Sequence, residues 1–224
     1  MKALLNIAFV GLVQLAVIAA LVFIPAGTLN YWQAWVLLAV FTMTAVIPSL
    51  YLQITSPAAM ERRMRSGPIA EGRTAQKIVM AGLYASLAGA SIVSALDHRY
   101  HWSHVPIAMC LVGAALVAAG LGTTVLVVKQ NNYASTTVQV ESDQQVISTG
   151  LYSHVRHPMY TANTLILTGL PLALGSYWGL AFLVPGILVL VSRIRDEEKL
   201  LVEELPGYRG YTQQVRHRLV PGMW

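Results

Sequence analysis

Arg156-His157-Pro158-Met159-Tyr160 stands where a polar stretch gives way to an almost wholly apolar one. Proline suits the first turn of a helix, where its missing N–H has no partner to lose. His157 therefore falls at the cap of a helix that begins at Pro158. Free N–H groups and the positive end of the helix dipole favour an anion there, and Arg156 adds a full positive charge. Tyr160 lies about one turn further in and offers a hydroxyl at a lipid boundary. A second cluster starts at Ser192. Arg193 and Glu197 are spaced i, i+4 and share one helix face, with Arg195, Asp196, Glu198 and Lys199 crowded on the same turns. If the apolar segments between the clusters form a hairpin, Arg156, His157, Tyr160, Arg193 and Glu197 surround one pocket. An amino-acid nucleotide, with an anionic end, a cationic centre and hydroxyls, fits such a pocket. The plainer alternatives are headgroup anchoring for Arg156 and Tyr160 and a solvated helix end for the second cluster. Acidic residues suit anchoring poorly.

The composition says what positions these clusters. Of 224 residues, 55% are hydrophobic and only 11% charged, against about a quarter charged in soluble domains. Mean hydropathy is +0.56. This is an all-α, polytopic membrane bundle of five to six helices, in one integral membrane domain over residues 1–224. A four-helix part (1–128) precedes a part (129–224) that holds both polar clusters, with a helical hairpin and an interfacial tail. Apolar runs cover about 3–24, 32–52, 78–96, 105–128, 158–174 and 180–194. The first is longer than a signal-peptide core and lacks a small-x-small cleavage pattern after Pro25, so a retained helix is expected. The last two are short for full spans and suit a tilted or partly penetrating hairpin.

The connections carry the charge. Residues 54–77 hold Arg62, Arg63, Arg65, Arg73 and Lys77 and suit a loop with a short amphipathic helix near 58–65. Residues 129–157 form another polar stretch, with a short extended segment expected over 136–140. Asn30, Tyr31 and Trp32 read as an interfacial turn, "DHRYHWSH" (97–104) as a polar turn, and the tail from Arg195 as interfacial. Nearly all basic residues fall in alternate connections, and Arg99 is the exception. Six crossings with both termini and the site cytoplasmic satisfy the positive-inside bias. The net charge of +5 is then explained by orientation, and no nucleic-acid partner is expected.

Four motifs, "STGLYSHVRHPMY", "RIRDEEKLL", "GYRGY" and "RLVP", occur in order between about Gln139 and Pro221. This part of the chain resembles the isoprenylcysteine carboxyl methyltransferases, and the related phospholipid methyltransferases share parts of the pattern. The resemblance implies an S-adenosylmethionine-dependent membrane methyltransferase without a soluble dinucleotide-binding domain. It implies cofactor contacts from His157, Pro158, Met159 (by its backbone), Tyr160, Tyr152 and Glu197. By position it adds Gln144, Gln145, Val146 and Ile147, and Gln139 as a further polar contact. Arg193 would face the reacting group of the substrate as the catalytic residue, and Arg156 would join it in substrate binding. The acceptor implied is the carboxylate of an isoprenylcysteine or similar lipophilic acid, drawn from the bilayer.

Methyl transfer needs in-line alignment and exclusion of water. A carboxylate arrives deprotonated and needs a cation such as Arg193 to orient it. A phospholipid amine must lose a proton, for which Glu197 or Glu198 are the candidates. A transporter or non-catalytic accessory protein is the alternative of another class, but ionisable groups cluster at one interface instead of the midplane. Asp97, His98, His101 and His104 fit no strong metal signature, nor do His154 and His157, and no metal site is expected. Pro48, Pro171 and Pro185 suggest kinks. Gly113, Gly120 and Gly122 suggest close helix packing, and Cys110 a small buried residue.

Overall fold

A computed structural model describes residues 2–55, 57, 60, 74–131, 133 and 144–224. All regular structure among them is helical. The order is α1 (Lys2–Ala26), α2 (Trp32–Phe41), α3 (Ile47–Thr55), α4 (Thr74–Tyr100), α5 (Ile107–Gln130), α6 (Pro158–Ala173), α7 (Leu183–Glu204) and α8 (Tyr208–Gln214). Five segments are long and apolar enough to cross a membrane: Leu4–Ala26, Trp32–Thr55, Gln76–Tyr100, Ile107–Gln130 and Trp178–Glu204. The chain is an integral membrane protein. The amphipathic helix expected near 58–65 and the extended segment over 136–140 lie almost wholly outside the described residues.

Residue chemistry explains most helix ends. Gly27, at φ +67°, takes the left-handed conformation that closes α1. Pro158 sits in the first turn of α6 with His157 as its cap. Between α2 and α3 the helix widens into a π turn over Thr42–Val46, just before Pro48, which has no N–H to give and crowds the preceding turn. Pro185 lies in the first turn of α7, after a 3-10 turn over Trp178–Phe182. It begins a helix there and does not kink one.

The bundle is tied at the end far from the polar clusters. Tyr31, expected at an interface, is fully buried. Its hydroxyl donates to the Leu174 carbonyl at 2.5 Å, and its ring stacks on His98 at 3.8 Å. Asp97, 1% exposed, accepts from the Ser103 backbone N–H at 2.6 Å and from the Ser103 and Ser176 hydroxyls at 2.7 and 2.5 Å. The start of "DHRYHWSH" is thus the last turn of α4, which runs to Tyr100, and the loop follows it. Among the described residues no group of three His, Cys, Asp or Glu could hold a metal.

These contacts place the C-terminus of α6 beside the start of α2 and the end of α4. At the opposite end, Met159 packs on Leu52 and Val128, close to the ends of α3 and α5. Sixteen residues of helix reach about 24 Å, so α6 runs the length of the bundle although it is short for a span. Small residues let it lie deep. A Cβ on Gly113 would come within 2.2 Å of the Ala173 nitrogen, one on Gly169 within 2.6 Å of the Gly113 carbonyl, and one on Gly120 within 2.7 Å of the Ala162 carbonyl. Gly122 has nothing within 4 Å and takes no part in this packing. Cys110 is buried beside it all as a free thiol.

α7 also departs from the sequence expectation. Its helix continues past the apolar run to Glu204, because Arg193, Ile194, Glu198 and Leu201 present one buried face. The first ten residues of the stretch expected as an interfacial tail, 195–204, are the last turns of this helix, and α8 and the final segment follow it.

Gly113→Ala forces a methyl group against α6 backbone and is expected to destabilise by about 1–3 kcal/mol or more. Gly122→Ala is expected to be neutral or slightly stabilising. Thermal unfolding of both variants in detergent checks the pair, and equal melting temperatures would contradict the packing.

Candidate active site

The polar clusters converge because three pieces of chain close over the N-terminus of α6. The stretch 144–157 arrives through a 3-10 turn at Gly150–Ser153. Gly150 has φ +61°, and a Cβ there would meet the Gln130 side chain at 2.6 Å. That same Gln130 oxygen accepts the Leu151 N–H at 3.0 Å. α7 supplies the opposite wall. α8 and the tail fold back, with Leu201, Leu205, Tyr208, Tyr211 and Val215 packed on Val146 and Tyr152.

Between them lies a cavity of about 820 Å³, counting its solvent-open mouth. Gln144, Gln145, Val146, Ile147, Tyr152, Arg156, His157, Pro158, Met159, Tyr160 and Glu197 all line it. Gln139 lies outside the described residues. Asn131, Tyr133, Leu201, Leu205, Tyr208 and Tyr211 complete the wall. Sequence reasoning did not single these out, although the two last tyrosines stand in "GYRGY" and could have been flagged by it.

Adjacent carboxylates on α7 have different partners. Glu197 lines the cavity and accepts from the Tyr160 hydroxyl. That hydroxyl in turn accepts from Arg193 Nε at 2.8 Å. Arg193 is 5% exposed and is not part of the cavity wall. It lies one turn before Glu197, deeper in the bundle, with its guanidinium carbon 5.9 Å from the Tyr160 ring centre. Glu198 turns away and is held by Arg156 Nε at 2.7 Å, His157 Nε2 at 3.2 Å and Arg218 Nε at 2.8 Å. Of the two, only Glu197 is placed at the cavity.

Arg156 does more than present charge. Its Nη1 donates to the Val215 and Arg216 carbonyls at 2.8 and 3.0 Å. The backbone N–H groups of Arg156 and His157 donate to the His217 and Arg218 carbonyls at 2.9 and 3.0 Å. His157 stacks on Tyr160 with ring centres 5.5 Å apart. His154 is exposed, against Ser153 and the Gly150 carbonyl.

Outside the helical spans, the phenols of the wall are kept neutral. Burial pushes Tyr152 up to about 12, opposed by the hydrogen bond from Asn131 at 3.1 Å. Burial raises Tyr208 and Tyr211 too, with nearby Glu198 adding to the effect in each case. Tyr152 accepts from Asn131 and Tyr211 donates to the Tyr152 carbonyl at 2.6 Å, and none of the three phenols carries a charge at neutral pH. The cavity thus combines apolar walls, neutral hydroxyls, three amides and one carboxylate at a helix N-terminus. Such a surface suits a polar, partly cationic nucleotide-like ligand.

Residues 108–206 match the family model of the phospholipid methyltransferases. The match supports a membrane methyltransferase and agrees with the resemblance read from the motifs. It covers α6, α7 and every cavity residue except Tyr208 and Tyr211. No curated protein matches the chain.

The Tyr208 hydroxyl is buried with no hydrogen-bond partner among the described residues. Tyr208→Phe is therefore expected to hold or raise stability, by up to about 1 kcal/mol, since an unsatisfied buried hydroxyl is costly. A thermal scan checks this, and a clearly lower melting temperature would show that the hydroxyl has a native partner.

Proposed function

We propose that this protein transfers a methyl group from S-adenosylmethionine to a lipid-borne acceptor, in first place the carboxylate of an isoprenylcysteine or similar lipophilic acid. One observation carries the reading: the cavity residues and Arg193 sit at successive depths of one hairpin. Glu197, Tyr160 and residues 144–147 line a space open to solvent, while Arg193 lies one turn deeper on the same face of α7. A soluble cofactor and a membrane-held acceptor would reach that junction from opposite sides.

S-adenosylmethionine, when bound, supplies a sulfonium methyl already activated for displacement. The chain's own residues then bind, align and exclude water. Val146, Ile147, Pro158, Met159, Leu201 and Leu205 give apolar cover. Gln139, Gln144 and Gln145 offer amides, and Tyr152 and His157 add further polar contacts. Glu197 accepts hydrogen bonds from cofactor hydroxyls or its amino group. Arg193 orients the acceptor carboxylate and is kept in place by Tyr160. Arg156, which lines the cavity, is assigned to substrate binding with it. A carboxylate acceptor would already be deprotonated and would take the methyl group that the cofactor supplies. No proton moves, so no base is required. The site is assigned to the cytoplasmic face, with both termini, on the basic residues of the connections.

The family match favours a second reading, N-methylation of a phospholipid amine. Glu197 would then take the proton the amine must lose.

Calorimetry with S-adenosylhomocysteine tests the site. Binding by the wild type and loss of about tenfold or more in Glu197→Ala, with melting unchanged, is the expected result. Absence of binding by folded wild type would favour the non-catalytic alternative, a transporter or accessory protein. Arg193→Ala is expected to keep cofactor binding and lose turnover of farnesylcysteine acids. Turnover at the wild-type rate would remove Arg193 from this role, and turnover of phosphatidylethanolamine instead would decide for the second reading.

A further inference from the structure

The C-terminal segment lies beyond the matched residues 108–206, yet it makes more polar contacts to the start of α6 than any other part of the chain described above. Carbonyls of Val215 and Arg216 accept from the Arg156 guanidinium, those of His217 and Arg218 from the Arg156 and His157 backbone N–H groups, and that of Leu219 from the Thr161 hydroxyl at 2.7 Å. The segment is folded on itself, with the Arg218 and Leu219 N–H groups donating to the Trp224 carbonyl at 2.8 and 3.0 Å. The Arg218 guanidinium packs 5.1 Å from the Trp224 ring centre. That side chain reaches Glu198 Oε2, while Arg156 and His157 share Oε1.

A carboxylate flanked by two guanidinium groups has no proton to offer, so it can only accept from the ring. Its contact with His157 Nε2 therefore puts the ring proton on that nitrogen and leaves Nδ1 as the ring's acceptor when the imidazole is neutral. We infer that Arg218 is a positioning residue of the cavity: through Glu198 it fixes the seat and tautomer of His157. The inference rests on the proposed methyltransferase site for its consequence in cofactor binding, but its structural half stands apart. Among the other ionisable groups of the cavity wall, Tyr160 stacks on the ring at 5.5 Å, and Glu197 from α7, Tyr152, and Tyr208 from α8 line the same cavity. None of these has a hydrogen bond to the ring among the described contacts.

The test is ¹⁵N imidazole spectroscopy of the full-length protein in detergent, with the His157 signals assigned by their loss in His157→Gln, beside calorimetry with S-adenosylhomocysteine. Wild type is expected to show His157 protonated on Nε2. Arg218→Gln is expected to mix the tautomers and weaken S-adenosylhomocysteine about tenfold, the worth of one charge-assisted hydrogen bond. Arg218→Lys, which keeps the charge, is expected to recover most of both. A wild-type ring protonated only on Nδ1 overturns the inference whether or not any variant folds. So does an Arg218→Gln protein with unchanged signals and unchanged affinity. If wild type fails to bind S-adenosylhomocysteine while Arg218→Gln still mixes the tautomers, the methyltransferase reading falls and the positioning role stands.

Discussion

A carboxylate buried at a lipid threshold has to be paired, and the pairing of Glu198 organises the whole site. An ion taken out of water loses its hydration, and removing one partner from such a cluster leaves the other uncompensated. Here Arg156, His157 and Arg218 arrive from two separate stretches of chain to meet one side chain of α7. Their convergence brings the N-terminus of α6, the last turns of α7 and the C-terminal segment together. With Glu198 satisfied in this way, its neighbour Glu197 is left facing the cavity.

The far end of the bundle answers a related constraint. Tyr31 and Asp97 are buried there and have their hydrogen bonds met by Leu174, Ser103 and Ser176. These contacts fix the depth of α6 from its C-terminal end, while glycines at 113, 120 and 169 fix its distance from α5. A helix held at both ends and along one side presents His157, Pro158 and Tyr160 in a set place. The geometry of the cavity thus depends on packing throughout the bundle.

Much of this was legible in the sequence. Long apolar runs give helices, and a proline after a polar residue gives the start of α6. The i, i+4 spacing of Arg193 and Glu197 put them on one face, as they are found. What could not be read was partnership across long separations. Glu198 reads in the sequence as a charge on a crowded turn and a candidate base, since nothing local pairs it with Arg218. Tyr31 and Asp97 resembled surface residues because short polar connections usually are. The reach of α7 beyond its apolar run was hidden because its buried face there includes charged residues. Arg193 was expected at a reacting group, and the structure shows it first as a partner of Tyr160.

The proposed function puts S-adenosylmethionine in one cavity, at one end of the bundle. Hydrogen exchange of the purified protein, with and without S-adenosylhomocysteine, tests this most directly. Binding in this cavity predicts added protection confined to residues 144–160 and 197–211, with the far-end turns around Tyr31, Asp97 and Ser176 unchanged. Protection centred elsewhere, or none in those two stretches at saturating ligand, would contradict it.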